Sequence, residues 1–367
     1  MDNQFFMDYF KACPFVIQMA LVLIGVLAFS IVLLAVYLKI IRLLLRKKGQ
    51  ETTRLKGEYE VLLMEYLYCN TESEDGNVQQ QSIVLEIKKA IQVKPQRKII
   101  VSILYNLMDQ VSGEMSDAII ALYYRIGLID EAFERLKNKN WYIIAKGIGE
   151  LSRFEIKEAH NHVMKFIKHP RREVRKEAHL YLVNLYHFEG LSFLNEIKTP
   201  LSEWDQVQIL EILQKFDNQQ ICDIKPWLKS SNDTVVLFAL KLAEIYNQFE
   251  VKDILMELLS HQAVNIRIQT IEVLTHLYGV EAKELLKANF NELSLEEQVC
   301  FFEMLEKLVV PTDEPFIEKH LFHKNFEIQL LALKILKSIN IDKFMGLKSS
   351  STDNEFPEVY EFVNNAI

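Results

Sequence analysis

The segment Phe166–Leu185, FIKHPRREVRKEAHLYLVNL, decides the fold. It runs from a helix end through a polar turn into a new helix. That helix carries Val174, Ala178, Tyr181, Leu182 and Leu185 on one face, with Arg172, Arg175, Lys176 and His179 around the rest. The same layout recurs in WLKSSNDTVVLFALKLAEIY from Trp227, LLSHQAVNIRIQTIEVLTHLYG from Leu258 and HLFHKNFEIQLLALKILKSI from His320. In each, a β-branched residue opens the second helix and a small one follows four positions later: Val174/Ala178, Val235/Ala239, Ile266/Thr270 and Ile328/Ala332. The small residues are 61, 31 and 62 positions apart, which is two, one and two units of about 31.

The missing registers are occupied too. LSEWDQVQILEILQKF from Leu201 and LSLEEQVCFFEMLEKL from Leu293 share Leu, Ser, Gln, Val, Glu, Leu and Lys, and Val207 lies 92 residues before Val299. Ser202-x-x-Asp205 and Ser294-x-x-Glu297 are helix-start signals, in which side chains satisfy free N–H groups of the first turn. An earlier copy, NWYIIAKGIGELSRF from Asn140, places Ala145 33 residues before Ala178. A hairpin of this length cannot bury both apolar faces alone, so neighbours must stack and share one core.

Turn, Val-Arg-x-x-Ala, then leucines at helical spacing resembles the HEAT repeat, in the short form of bacterial HEAT-like proteins. Val174-Arg175-x-x-Ala178 fits it best. Ile266-Arg267-x-x-Thr270 keeps the arginine, whereas Val236 and Gln329 replace it elsewhere and the usual turn aspartate survives as Asp233. The resemblance covers residues 140–340 and implies an all-α, right-handed α-solenoid that binds proteins. Residues 79–139 are helical by pattern and read as divergent repeats capping the stack.

Composition agrees with one helical stack. Glycine (11) and proline (8) are scarce in 367 residues, which leaves little room for hairpins or phosphate loops. The formal charge of −8 argues against a nucleic-acid partner. It is the sum of +4 over residues 1–50 and −12 over the remainder.

The basic start is a membrane stem. Phe15–Leu38 holds 24 residues without a charge, 21 of them hydrophobic, enough for a transmembrane helix across a core of roughly 30 Å. Lys39, Arg42, Arg46, Lys47 and Lys48 follow it, against Lys11 before it, so the N-terminus is expected outside and the rest inside the plasma membrane. A cleaved signal peptide would need its basic region first. The organisation is therefore an extracytoplasmic start (1–14), a transmembrane helix (15–38) and a basic stem with a membrane-proximal helix (39–69). An acidic linker (70–78), the array (79–340) and a tail with a short helix from Pro357 (341–367) follow. Gly49 and Gly57 are weak points in the stem, and Tyr59, Leu62, Leu63 and Tyr66 form an apolar face expected to dock on its own domain.

Chemistry is scarce. No nucleotide loop or nucleophile elbow occurs, and Gly147-x-Gly149 lies inside a helical pattern. Cys13, Cys69, Cys222 and Cys300 are far apart, with Cys222 and Cys300 expected as core residues of apolar helical faces. His160/His162 and His320/His323 lack the company of a metal motif, so no catalytic, cofactor or metal residue is assigned. One constellation stands out: Lys165, Lys168, Arg171, Arg172, Arg175 and Lys176 put six cations in twelve residues. The candidate binding residues are Lys168, Arg171, Arg172, Arg175, Lys176 and His179, facing an acidic peptide, a phosphate or lipid headgroups. The plainer alternative is that Glu173 and Glu177 screen them and Arg175 joins two repeats. The functional expectation is a single-pass scaffold or adaptor for a membrane-associated protein partner, with no small-molecule substrate, no cofactor and no enzymatic activity. The alternatives are a lipid-binding membrane organiser or, by the HEAT-like resemblance, an enzyme of the bilin-lyase or DNA-glycosylase kind.

Overall fold

In the computed structural model, described over residues 14–69, 74–216, 221–347 and 356–365, every regular element is helical. Two compact units divide the chain, Met1–Ala132 and Phe133–Ile367. The division falls inside the 79–340 array, near its change from divergent to clear repeats. The extracytoplasmic start, including Cys13, and most of the Ser-rich tail lie outside the described residues.

The first unit is built on α1 (Phe15–Tyr68), one helix of 54 residues. At 1.5 Å per residue it is about 80 Å long. Val22–Leu38 of its apolar part are exposed, Phe29 and Ile31 by 65% and 67%, and the basic residues Lys39, Arg42, Arg46, Lys47 and Lys48 are exposed as well. Gly49 and Gly57 lie within the helix. At the far end Leu63 and Tyr66 are buried, and α1 packs on α2 (Glu74–Ala90), α3 (Lys94–Met108) and α4 (Glu114–Arg125). One rod thus has a bare apolar end and a docked end. The acidic linker expected over 70–78 is shorter than that, because α2 already begins at Glu74. Residues 70–73 lie outside the described residues.

In the second unit, which α5 (Leu128–Leu136) enters, long and short elements alternate. The long helices are α6 (Trp141–Arg153), α8 (Arg172–Tyr186), α9 (Glu203–Leu213), α11 (Asp233–Ile245), α13 (Val264–His276), α15 (Leu295–Leu308) and α17 (Phe326–Ile339). They begin at 141, 172, 203, 233, 264, 295 and 326, steps of 31 with a single step of 30. Shorter pieces precede or follow them: α7 (His160–Val163), α10 (Lys225–Leu228), α12 (Lys252–Leu258), α14 (Glu281–Ala288), α16 (Glu314–Glu318) and α18 (Ile341–Gly346). Before α9 this place is taken by a 3-10 turn, Glu189–Asn195. Each long helix packs on the next, except that α9 is tied to α11 mainly by hydrogen bonds from Leu201 N to Thr234 Oγ1 (2.9 Å) and from Lys241 Nζ to Gln206 Oε1 (3.1 Å). The tail helix α19 (Phe356–Asn365) packs on α17, where Lys337 Nζ donates to the Val363 carbonyl at 2.8 Å.

Third and seventh positions of the long helices meet the neighbour. Val174/Ala178, Val235/Ala239, Ile266/Thr270 and Ile328/Ala332 are all fully buried there. In α6 the seventh position is Gly147, and Ala145 is only partly buried, so the alignment of Ala145 with Ala178 is off by two residues. In α9 and α15 the third position is instead a carboxylate, Asp205 or Glu297, and the seventh is Ile209 or Phe301. The preceding long helix supplies its counter-charge. Arg172 Nη2 lies 3.3 Å from Asp205 and 2.6 Å from Ser202 Oγ. Arg267 grips Glu297 with two bonds, 2.5 and 2.9 Å, and donates from Nη1 to the turn carbonyls of His261 (2.7 Å) and Gln262 (3.1 Å). Arg175 makes the same turn bonds, to His169 (2.7 Å) and Pro170 (3.0 Å). Arg97 in the first unit repeats the theme, bonding the Ile91 carbonyl (2.6 Å) and Glu131 (2.7 Å). Both helix-start signals form as read, and Ser294 with Glu297 closes a full capping box.

Scarce glycine has a local counterpart in the turns that leave the long helices. Glu155, His187, Asn247 and Tyr278 all take positive φ of 50–53° there, a conformation usually given to glycine. Bonds from Ile156 N to Leu151 O, Gln248 N to Ala243 O and Gly279 N to Leu274 O close three of these turns in the same way. Gly190 is required for a different reason: a Cβ there would sit 2.2 Å from the Leu182 carbonyl oxygen.

Removing one partner of a buried ion pair strands the other charge. Glu297 is fully buried, so Arg267→Ala should destabilise the protein by about 3 kcal/mol. Ser294→Ala, which removes the cap and one hydrogen bond to Glu297 but leaves Arg267 in place, should cost about 1 kcal/mol. Thermal unfolding followed by circular dichroism ranks the two. Burial by itself would raise the pKa of Asp205, Glu297 and Asp313, but hydrogen bonds from Ser202 and Arg172, from Arg267 and Ser294, and from Lys287, Val310 N and Lys283 outweigh it and hold all three low. Depressed carboxylates contribute stability above their unfolded pKa and lose it as pH falls through the folded one. The melting temperature should therefore fall on acidification below about pH 4, with a shallower slope in Glu297→Gln.

Candidate functional site

Three of the six cations that stand out in sequence are engaged by partners within the protein. Lys168 pairs with Glu196 at 2.7 Å, Arg172 with Asp205, and Arg175 with the turn carbonyls of its own repeat. Arg172, not Arg175, is the residue that bridges two repeats. His179 is buried rather than on the surface: its ring stacks on Phe193 at 4.1 Å and Nε2 lies 3.3 Å from the Ile167 carbonyl. Burial, chiefly, lowers its pKa to about 4. His179 is thus covered by the segments on either side of α8, through Ile167 before it and Phe193 after it, contacts that one-helix periodicity does not reveal. Arg171 remains exposed, and Lys176 borders a shallow depression of about 10 Å³ with Arg172 and Asp205.

A larger concavity lies elsewhere in the second unit. A groove of about 660 Å³ opens at the carboxyl ends of α11, α13 and α15. Three carboxylates on successive long helices line it, Glu244, Glu272 and Glu303, with Lys307 as the cation among them. Glu272 has its pKa raised, by burial first and then by the fields of Glu244 and Glu303, against the pull of Lys307. The stack thus holds mutually repelling charges where a cation would relieve them. Tyr278 and Phe249 stand at the rim, 70% and 52% exposed. Tyr278 does so in a left-handed conformation that is uncommon for a bulky residue, and such strain collects at working surfaces. Lys252 joins the rim through its bond to the Tyr278 carbonyl (3.3 Å).

Neither thiol of this unit is poised as a nucleophile. Cys300 borders the groove, and burial, then Glu272 and Glu303, push its pKa up to about 12. Cys222 lies in an irregular segment rather than on a helix, half-buried, and burial raises it to about 11. His320 packs among Phe290, Phe302 and Phe316. Among the described residues no group of three His, Cys, Asp or Glu side chains is arranged to hold a metal ion. The groove was not legible in sequence, because its carboxylates are 28 and 31 residues apart and each alone reads as a solvated helix residue.

No protein-family model and no curated protein matches this sequence. Solved structures with some likeness include the complex of CpcE and CpcF of phycocyanin lyase from Nostoc sp., at 12% identity, covering 76% of this chain and 92% of that one, with a TM-score of 0.23. Human deoxyhypusine hydroxylase in complex with glycerol gives 11% identity, coverage of 80% and 100%, and a TM-score of 0.29. An engineered protein gives 13%, 70% and 96%, and 0.23. At such TM-scores the likeness carries no argument, and the helical-repeat fold rests on the packing described above.

Two substitutions probe the groove's stored repulsion and strain. Glu272→Gln should raise stability at pH 7 by a few tenths of a kcal/mol after solvent screening. Tyr278→Gly should raise it by about 1 kcal/mol, since glycine adopts the left-handed region freely. Melting temperatures of both variants check the signs.

Proposed function

We propose that the chain is a single-pass membrane scaffold that presents a right-handed HEAT-like array in the cytoplasm and holds a protein partner there. The observation that carries this reading is α1: one helix, apolar and exposed at one end, docked against its own domain at the other. It is the one helix among the described residues long and apolar enough to cross a membrane. Following the basic-inside bias, Lys39 to Lys48 keep the array on the cytoplasmic side of the plasma membrane. Beyond the basic residues α1 continues as a helix, about 22 Å from Lys48 to Leu63, before it docks within its own unit.

The groove is the best-supported partner surface. Its carboxylates and exposed rim aromatics suit a basic segment of a protein, a lysine or arginine entering among Glu244, Glu272 and Glu303 while apolar neighbours cover Tyr278 and Phe249. Anchoring both proteins in one membrane raises their local concentration, so a modest contact suffices. The partner fits an accessory role beside a membrane enzyme or signalling protein. Binding rather than catalysis also suits the two thiols, both held protonated.

Three measurements test the reading. A membrane-impermeant maleimide should label Cys13 but not Cys69 on intact cells; the reverse pattern would refute the orientation. Leu27→Arg, at the middle of the span, should cost insertion about 3 kcal/mol and release much of the chain to alkaline carbonate. A photocrosslinking residue at position 278 should trap one basic protein in native membranes, and Glu272→Lys with Glu303→Lys should abolish that adduct. Capture unchanged by the double charge reversal would exclude the groove.

A further inference from the structure

A second surface is built on the amino ends of α6, α8 and α9. These helices run side by side in one direction: Gly149 of α6 faces Glu177 of α8, and Asn184 Nδ2 donates to the Ser152 carbonyl one turn further on (3.3 Å). Arg172 in the first turn of α8 reaches Ser202 and Asp205 at the start of α9. The three turns that open these helices therefore form one edge. On it stand Trp141, Tyr142 and Trp204, exposed by 38%, 57% and 62%. The segments 137–142, 168–173 and 198–204 carry six cations and the acids Glu173 and Glu203; three of the cations, Lys137, Lys168 and Arg172, are paired with Glu134, Glu196 and Asp205 just outside these segments. Of the six, Lys139, Arg171 and Lys198 are exposed and make no side-chain bond among the described residues. The turn that opens α15, in contrast, carries Glu292 and Glu296.

Exposed tryptophan and tyrosine beside lysine and arginine are the side chains that settle at a bilayer surface. The rings sit at headgroup depth and the cations meet anionic lipid. We propose that this edge rests on the anionic headgroup layer of the membrane that holds α1. The inference depends on the membrane-anchored reading given above. Tethering makes the contact intramolecular in effect, so a few side chains can hold it. It also separates the two charge patterns. The basic edge lies at the amino ends of its helices and the acidic groove at the carboxyl ends of α11, α13 and α15, where anionic lipid would repel it.

The chain contains its own probes. It has three tryptophans, none in α1, and the third, Trp227, is 4% exposed with Nε1 donating to Asn195 Oδ1 at 2.8 Å. The full chain is reconstituted into vesicles of phosphatidylcholine and phosphatidylglycerol whose acyl chains are brominated near the headgroup, and tryptophan emission is compared with unbrominated vesicles. Quenching is expected, with at least a fivefold loss of the effect in Trp141→Phe/Trp204→Phe, where Trp227 alone reports. Lys139→Glu/Arg171→Glu/Lys198→Glu should remove the quenching while both tryptophans remain. Unquenched emission from chain that still floats with the vesicles would overturn the edge contact and leave the anchor intact. Equal quenching in pure phosphatidylcholine would overturn the anionic assignment. Chain that fails to float would overturn the anchored reading itself, and this inference with it.

Discussion

The second unit depends on the close contact between successive long helices at their third and seventh positions, which the α9–α11 step replaces with hydrogen bonds. The short elements, some only four or five residues long, cannot bury a long helix by themselves. Its other face must be covered by the next repeat, so the period is fixed by geometry at about 31 residues. Gly147, Ala178, Ala239, Thr270 and Ala332 keep the seventh position small in five of the seven long helices, where a larger residue would push those helices apart; α9 and α15 carry Ile209 and Phe301 there instead. An array assembled this way draws its stability from nearest neighbours, and the terminal helices α17 to α19 close it by packing on one another.

Asp205 and Glu297 modify that rule rather than break it. Burying a carboxylate at a helix contact is unfavourable unless charge and hydrogen bonds compensate it. Here an arginine from the preceding helix and a serine cap on the same helix do so together. Apolar contacts alone would accept a neighbour in several registers. A gripped carboxylate accepts one, which explains why these repeats carry the clearest capping motifs in the chain.

Much of this was legible in the sequence and some of it could not be. Helical periodicity reports which residues share a face, so the Val/Ala pairs and the 31-residue step were readable, as was the docking face of Tyr59, Leu62, Leu63 and Tyr66. Periodicity does not report how many neighbours a helix has. His179 therefore reads as surface although Phe193 covers it, and Ala145 reads as equivalent to Ala178 where Gly147 is. Cation count misleads for a similar reason: arginines near a helix start look available, yet turn carbonyls and a neighbouring aspartate engage Arg175 and Arg172. The groove needs three repeats in place before its carboxylates meet. No reading of single segments can assemble it.

Charges that packing does not use are the more informative ones. Structural cations in this array find partners across one repeat step, as Arg172 and Arg267 do. Glu244, Glu272 and Glu303 break that economy: they face one another, and burial and mutual repulsion raise the pKa of the middle one. Lys139, Arg171 and Lys198 break it in the opposite sense, exposed beside tryptophans that folding does not require to be exposed. A stack optimised for stability alone would place carboxylates beside lysines and bury its tryptophans, as it does with Trp227. The two departures have opposite sign and lie at opposite ends of their helices. On the membrane-scaffold reading proposed above, that polarity assigns one edge to an anionic layer and the opposite one to a basic partner.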